Sequence, residues 1–177
     1  MYISEIFNKK SNYSNELEEK VFSYLHKLNI EYQGVTNDVS EAMSECEEIS
    51  KVLGEEIRKT VFLCNRQKTQ YYLVVMPANK RFDTKTFAKN MECARVSFAS
   101  EDDMINILGV SYGNASVMSI FNDTNKIVQV VLDKEVASND FFACNTGIST
   151  THIKFKTSDL IDKYLVDLDH TPKIIEL

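Results

Sequence analysis

The sequence predicts an α/β (α+β) fold with a mixed β-sheet surrounded by helices, and three observations lead there. Strand-like and helix-like patterns interleave along the whole chain. Several neighbouring strands are joined by short hairpin connections, which favours a mixed sheet over a purely parallel one. The chain shows no internal repeat, low-complexity tract or linker, so its 177 residues fit one domain and suffice to bury a substantial core.

The elements follow in order. Asn15–Leu28 reads as an amphipathic helix, with Leu17, Val21, Tyr24, Leu25 and Leu28 at helical spacing and Ser14 or Asn15 as its cap. Ile30–Val35 reads as a short strand. Ser40–Leu53 reads as a second helix, with Ser44 and Glu47 at capping-box spacing and Gly54 placed to end it. Ile57–Cys64 and Tyr71–Met76 are the strongest strand signals, joined by a polar hairpin loop at Asn65–Gln70. Thr84–Met91 is a helical stretch, Arg95–Phe98 a strand, and Glu101–Leu108 a helix capped by Ser100. Gly109–Val117 reads as a structured loop. Ser119–Phe121 and Ile127–Leu132 read as strands around a turn at Asn122–Lys126. Phe141–Cys144 and Thr151–Phe155 add strands, Thr157–Tyr164 a final helix capped by Thr157, and Lys173–Glu176 a last strand.

Composition excludes some classes. No stretch approaches the roughly 18 apolar residues of a membrane helix, and Met1–Asn15 is polar, without a signal peptide's basic and apolar regions. The expected compartment is the cytoplasm, and no membrane association is expected. The four cysteines (Cys46, Cys64, Cys93 and Cys144) form no CxxC pair, and neither His26 nor His152 stands at zinc-finger spacing from one. In a reducing compartment they serve as small core residues. A formal net charge of −6 argues against a generic nucleic-acid binder, and no DNA partner is expected. The acidic excess is uneven, however, gathering in Glu16–Glu19 and Glu41–Glu48. Arg58, Lys59, Arg66, Lys68, Lys80, Arg81, Lys85, Lys89 and Arg95 face only Asp83 and Glu92 within their stretch. That stretch is either a solvated surface or a patch that meets phosphates.

No P-loop, GxGxxG, GxSxG or HExxH signature occurs. His26 lies in the first helix, His152 in a strand and His170 in a polar segment near the C-terminus; such positions are more often structural than catalytic. The feature that draws notice is the loop in which Gly109 and Gly113 flank Val110–Tyr112, followed by Asn114, Ala115 and Ser116. Such a loop turns backbone N–H groups toward one point and can hold an anion or oxyanion without a charged side chain. Glycines there more often serve backbone geometry alone.

Lys59–Thr69 followed by Tyr71–Pro77 resembles the strand pair of the YbaK-like prolyl-tRNA editing family, whose members include the editing domain of bacterial prolyl-tRNA synthetase. Leu108–Ser116, running on to Ile120–Asp123, is similar to that family's glycine loop and the strand after it. Val128–Asp133 and the closing His170–Leu177 resemble its stand-alone branch, in register from the first helix onward. The resemblance implies one editing domain across residues 1–177, with a mixed, partly barrel-like sheet wrapped by helices. It implies hydrolysis of the ester joining a wrong amino acid to tRNA(Pro), most of all alanine, with prolyl-tRNA synthetase as a further partner. It also implies a reaction without protein nucleophile, metal or other cofactor, in which backbone groups and the substrate's own ribose hydroxyl position the water.

The same resemblance assigns roles. Lys59 matches the lysine placed beside the terminal adenosine, Gly113 supplies oxyanion-binding N–H groups, and Asn145 stands where the family has histidine in a His-Pro pair. Thr60, Asn114, Ala115, Ser116, Val117 and Ser149 match substrate-binding positions. The chain departs from the pattern with Thr60 for asparagine, Val117 for proline, Asn145-Thr146 for His-Pro, and Ser149 for asparagine. Asparagine hydrogen-bonds but does not shuttle a proton near neutral pH. The alternative implied by these departures is a catalytically weakened regulator of the same fold that binds tRNA or an amino acid.

Overall fold

The computed structural model describes residues 1–39 and 43–177, with only the backbone of Met43. Its elements are α1 (Glu16–Lys27), β1 (Tyr32–Thr36), α2 (Met43–Leu53), β2 (Lys59–Asn65), β3 (Tyr71–Met76), α3 (Thr84–Met91), β4 (Val96–Phe98) and α4 (Glu101–Asp103). After the 3-10 helix Val117–Asn122 come β5 (Val128–Asp133), α5 (Lys134–Ser138), β6 (Phe141–Asn145), β7 (Thr151–Lys156), α6 (Thr157–Asp159), α7 (Leu165–Asp167) and β8 (Lys173–Ile175). The expected start of α2 at Ser40 lies outside the described residues.

The expected mixed sheet is present, divided in two. One sheet has the order β4-β2-β3-β5-β8, antiparallel through β4, β2 and β3 and parallel from β3 through β5 to β8. The other is antiparallel, with the order β1-β7-β6. Alternation along each strand sorts side chains into layers. Phe62, Leu73, Val75, Val130 and Leu132 from the larger sheet meet Phe142, Ile153 and Phe155 from the smaller. Val21, Phe22 and Leu25 of α1 complete this main core. On the outer face of the larger sheet, Leu63, Tyr72 and Val74 pack under Phe87 and Met91 of α3. On the outer face of the smaller sheet, Val35 and Ala143 pack under Ile49 and Leu53 of α2. β3 is buried along its whole length, as its uninterrupted apolar sequence requires of a central strand.

Among the described residues the sheets are joined edge to edge at one parallel bridge, Ile57 with Ala143, where Arg58 N–H donates to the Ala143 carbonyl at 2.9 Å. Beyond this seam β2 continues into the larger sheet and β6 into the smaller. The barrel is therefore not closed.

Local chemistry explains the element boundaries. Asn15 Oδ1 accepts from Glu18 N–H at 2.9 Å and caps α1. Asn65 Oδ1 accepts from the N–H groups of Thr69 and Gln70 and organises the hairpin between β2 and β3. Ser100 and Asp103 form a capping box at α4, which continues as a π-helix over Met104–Leu108.

Several local expectations are corrected. Residues 119–121 are not a strand. They belong to the 3-10 helix Val117–Asn122, started by Ser116 Oγ accepting from Met118 N–H at 3.2 Å. Val117, Met118, Ser119 and Ile120 are all fully buried, and a short apolar run buried on every side carries no period that separates strand from helix. Ser44 lies inside α2 rather than ahead of it. Thr157 lies inside α6, whose N-cap is Lys156, and the helix passes through a π-helical stretch, Leu160–Tyr164, before α7. His170 is buried despite its polar neighbours. Its Nε2 stands 2.9 Å from Asp123 Oδ2 and its Nδ1 2.7 Å from the Leu168 carbonyl, so it clasps the chain end onto the core.

Candidate active site

Lys59 and Asn145 each stand two residues beyond the bridged pair, Lys59 on β2 and Asn145 on β6, where the two sheets separate. The loop before the 3-10 helix closes on this seam from the side. Ser116 Oγ donates to the Asn145 carbonyl at 2.7 Å, giving that oxygen the partner a neighbouring strand would otherwise supply. Ser116 is fully buried, so it ties the loop to β6 rather than facing outward.

The loop itself is a tight turn. Asn114 N–H donates to the Ser111 carbonyl at 3.1 Å, and Asn114 Nδ2 donates to Ser111 Oγ at 2.8 Å. Gly113, with φ of 82°, occupies the third position of this turn, where a type II turn needs positive φ. An added Cβ there would meet nothing within 4 Å, so the backbone is open to an approaching group. Among the described residues the N–H groups of Gly113 and Ala115 donate to no protein acceptor. Asn114 Oδ1 is shielded and accepts no hydrogen bond there. The turn thus offers two backbone donors that the fold does not use.

Asn145 is polarised by its surroundings. Its Oδ1 accepts from Gly147 N–H at 2.8 Å, which leaves Nδ2 as the free end of the amide. It can donate to a developing negative charge and cannot act as a base. Lys59 is half-buried, its ammonium donates to the Lys80 carbonyl, and burial lowers its pKa from the usual lysine value. Lys80 in turn is held by Asp133, which is fully buried, at 3.0 Å, and by Glu135 at 3.3 Å.

The remaining expected residues divide between site and scaffold. Thr60 is half-buried and pairs in register with Val75. Ala115 packs against the main core, and Val117 belongs within it. Ser149 lies in the β6–β7 loop, its carbonyl accepting from Asn37 Nδ2 at 2.8 Å. The structure therefore joins Asn145 to the 111–116 loop through Ser116 and brings Lys59 to the same seam. No hydrogen bond or ion pair links Lys59 to Gly113 among the described residues. A concavity of about 1160 Å³ lies elsewhere, lined by Lys9, His26, Gln33, Phe141, Lys154 and Lys156 among others, and includes none of the expected site residues.

The basic stretch is partly neutralised. Arg58 is buried between Glu55 and Glu56, Lys68 pairs with Asp103, and Lys80 with Asp133. Among the described residues Lys59, Arg66, Arg81, Lys85, Lys89 and Arg95 form no ion pair. Sequence reasoning missed Lys80, which holds Lys59 through a carbonyl and leaves no side-chain signal. It did not single out Asn37, and it placed His152 in a strand as a position more often structural than catalytic. Aligning β6 with β7 across their loop places His152 directly opposite Asn145, and that pairing was the available clue.

A mixed two-sheet fold whose seam presents unused backbone donors suits hydrolysis of an already activated ester. The model of the aminoacyl-tRNA editing domain family matches residues 36–163. The chain belongs to that family and is an aminoacyl-tRNA deacylase, a carboxylic-ester hydrolase. It is 28% identical over 162 residues to the prolyl-tRNA editing protein ProX of Acetoanaerobium sticklandii, covering 92% of this chain and 98% of that protein. It is 23% identical to prolyl-tRNA synthetase associated domain-containing protein 1 of Danio rerio, covering 90% and 87% of the two chains. A solved structure of a proposed trans-editing enzyme for prolyl tRNA synthetase shares the fold, with a TM-score of 0.66 at 12% identity over 93% of this chain and 99% of that one. Among the described residues no helix is long and apolar enough to cross a membrane.

Proposed function

We propose that this chain acts in trans, in the cytoplasm, on tRNA(Pro) carrying a wrong amino acid, and that the amino acid is alanine. The observation that carries the reading is the alignment with a prolyl-tRNA editing protein along nearly the full length of both chains. The geometry of the seam supplies the chemistry. The Lys59 ammonium grips the ribose-phosphate end of the RNA as a point charge. The N–H groups of Gly113 and Ala115, with Asn145 Nδ2, receive the oxyanion as water adds to the ester carbonyl. Thr60, Asn114 and Ser149 border the aminoacyl and ribose groups. The water oxygen bonds to the ester carbonyl carbon, the bond to the ribose oxygen breaks, and the water's proton reaches that leaving oxygen by way of the neighbouring ribose hydroxyl. Prolyl-tRNA synthetase, which makes the mischarged ester, is the partner that releases it to this site. A pocket sized for a methyl group admits alanine and rejects proline by overpacking.

The test is hydrolysis of Ala-tRNA(Pro), Cys-tRNA(Pro) and Pro-tRNA(Pro) by the purified protein. Release of alanine with the prolyl ester intact supports the reading. Persistence of all three esters, with tRNA binding that weakens as salt rises, overturns it in favour of the binding regulator.

A further inference from the structure

The β6–β7 loop follows Asn145 and carries Gly147 and Ser149, yet its conformation is set from a strand outside that hairpin. Asn37, just past the end of β1 and 7% exposed, spends every hydrogen-bonding group of its side chain. Its Nδ2 donates to the Ser149 carbonyl at 2.8 Å and to the Asp38 carbonyl at 2.6 Å. Its backbone N–H donates to the Thr150 carbonyl at 3.0 Å. Its Oδ1 stands 2.9 Å from His152 Nδ1. With both amide hydrogens committed elsewhere, Oδ1 is the acceptor, so Nδ1 of His152 carries the proton and donates it. His152 is 2% exposed, and burial pushes its pKa down to about 4, so the ring is neutral and Nε2 holds the lone pair. In the β6–β7 register His152 faces Asn145, and in the β1–β7 register it faces Val35, two residues before Asn37. The imidazole therefore stands between the loop's anchor on one side and the candidate site's amide on the other.

We infer that His152 is a positioning residue of the editing site: through Nδ1–H it orients Asn37, and the two together fix the loop that presents Asn145 and Ser149 to the aminoacyl ester. The inference rests on the function proposed above. It assigns to this chain a histidine that acts from β7, one strand away from the Asn145 position, and by orientation rather than proton transfer. A buried amide that loses its one donor is left with an unsatisfied oxygen and a choice of rotamers. Displacement of a reacting-site group by about 1 Å is enough to cost roughly 100-fold in rate.

Two variants separate orientation from bulk. His152→Leu keeps the volume and removes the donor. His152→Asn keeps a donor near the place of Nδ1. The expected result on Ala-tRNA(Pro) is a 10- to 100-fold fall in kcat for His152→Leu with KM within about threefold, and recovery to within about fivefold of wild type for His152→Asn. Hydrogen exchange followed in parallel should show Ser149–Thr151 amides losing protection in His152→Leu and regaining it in His152→Asn. Wild-type kcat in His152→Leu overturns the inference, as does an equal loss in both variants with unchanged exchange in the loop. A wild-type protein that hydrolyses none of the esters refutes the proposed function instead; the exchange comparison then still decides whether His152 and Asn37 hold the loop.

Discussion

Gly147 is the position where a single methyl group tests the packing behind the site. Its φ is 93°, and an added Cβ would lie 2.4 Å from Leu17 Cδ2 and 3.4 Å from Val110 Cγ1. Gly147→Ala therefore incurs two costs. Holding an L-residue in the left-handed region costs about 1–2 kcal/mol. The contact with Leu17 adds about 1 kcal/mol, at the low end of overpacking costs because a leucine terminus on a helix face can rotate away. The total is about 2–3 kcal/mol, or roughly 5–10 °C in Tm for a domain of this size. Thermal and urea denaturation of the wild type, Gly147→Ala, Leu17→Ala and the double variant would resolve the parts. The double variant should be more stable than the sum of the single losses predicts, because trimming Leu17 removes the clash and leaves only the backbone strain. A Gly147→Ala protein with Tm within about 2 °C of wild type, or strict additivity with Leu17→Ala, would refute this account of the loop.

Gly113→Ala meets no neighbour, so its stability loss should stay near the backbone cost of about 1–2 kcal/mol, while deacylation falls at least 10-fold as the turn's N–H groups shift; a loss of stability larger than that of Gly147→Ala would contradict the open geometry. Lys59→Ala should lower kcat/KM at least 10-fold with little change in Tm. In the wild type an alkaline loss of activity should set in below the usual lysine pKa of 10.5, since burial lowers that of Lys59, and Lys59→Arg should move the limb upward. Asp103 feels burial, which raises its pKa, but hydrogen bonds from Lys68, Ser100 and Tyr71 more than offset this and hold it at about 2. Its stabilisation is present above pH 3.8 and lost as pH falls through about 2, so Asp103→Asn should cost about 1–2 kcal/mol at pH 7 and the difference should vanish across that window in acid denaturation. His152, lowered by burial to about 4 from 6.5, works on another window. Between those values the unfolded chain binds the proton and the folded one does not, so stability falls as pH drops from 6.5 to about 4, and His152→Asn should flatten that slope.

Where periodicity and caps agree, the fold was legible. Asn15 with its amphipathic helix, the β2–β3 hairpin with Asn65 in its loop, and Thr84–Met91 between its Asp83 cap and Glu92 all form within a residue or two of the patterned segments. What escaped was short or surrounded. α5 spans five residues capped by Asp133, too few to show a helical period. The 3-10 helix at Val117–Asn122 is buried through its first four residues and so shows no exposed face, and the π-helical turns at Met104–Leu108 and Leu160–Tyr164 look like ordinary helix over so few residues. For the site, residue types with distinct chemistry stood out: a lysine opening a strand and a glycine pair in a loop. The groups that orient them did not. The carbonyl of Lys80 and the side-chain amide of Asn37 meet their partners across gaps of 21 and 115 residues, distances that local pattern cannot span. The polar segment around His170 gave no sign of its burial, because its partner Asp123 lies 47 residues away.

The edge-to-edge meeting of Ile57 and Ala143 is a pin beside a shared floor. Each sheet has its own covering helix, the two share the main core, and one main-chain hydrogen bond joins them at the bridge among the described residues. Ile49 and Leu53 of α2 pack in one cluster with Ile57 and Ala143, the bridged pair itself. Changing their bulk would therefore press on the joint and shift the spacing of Lys59 and Asn145, each two residues on, so aperture and reaction rate are expected to move together.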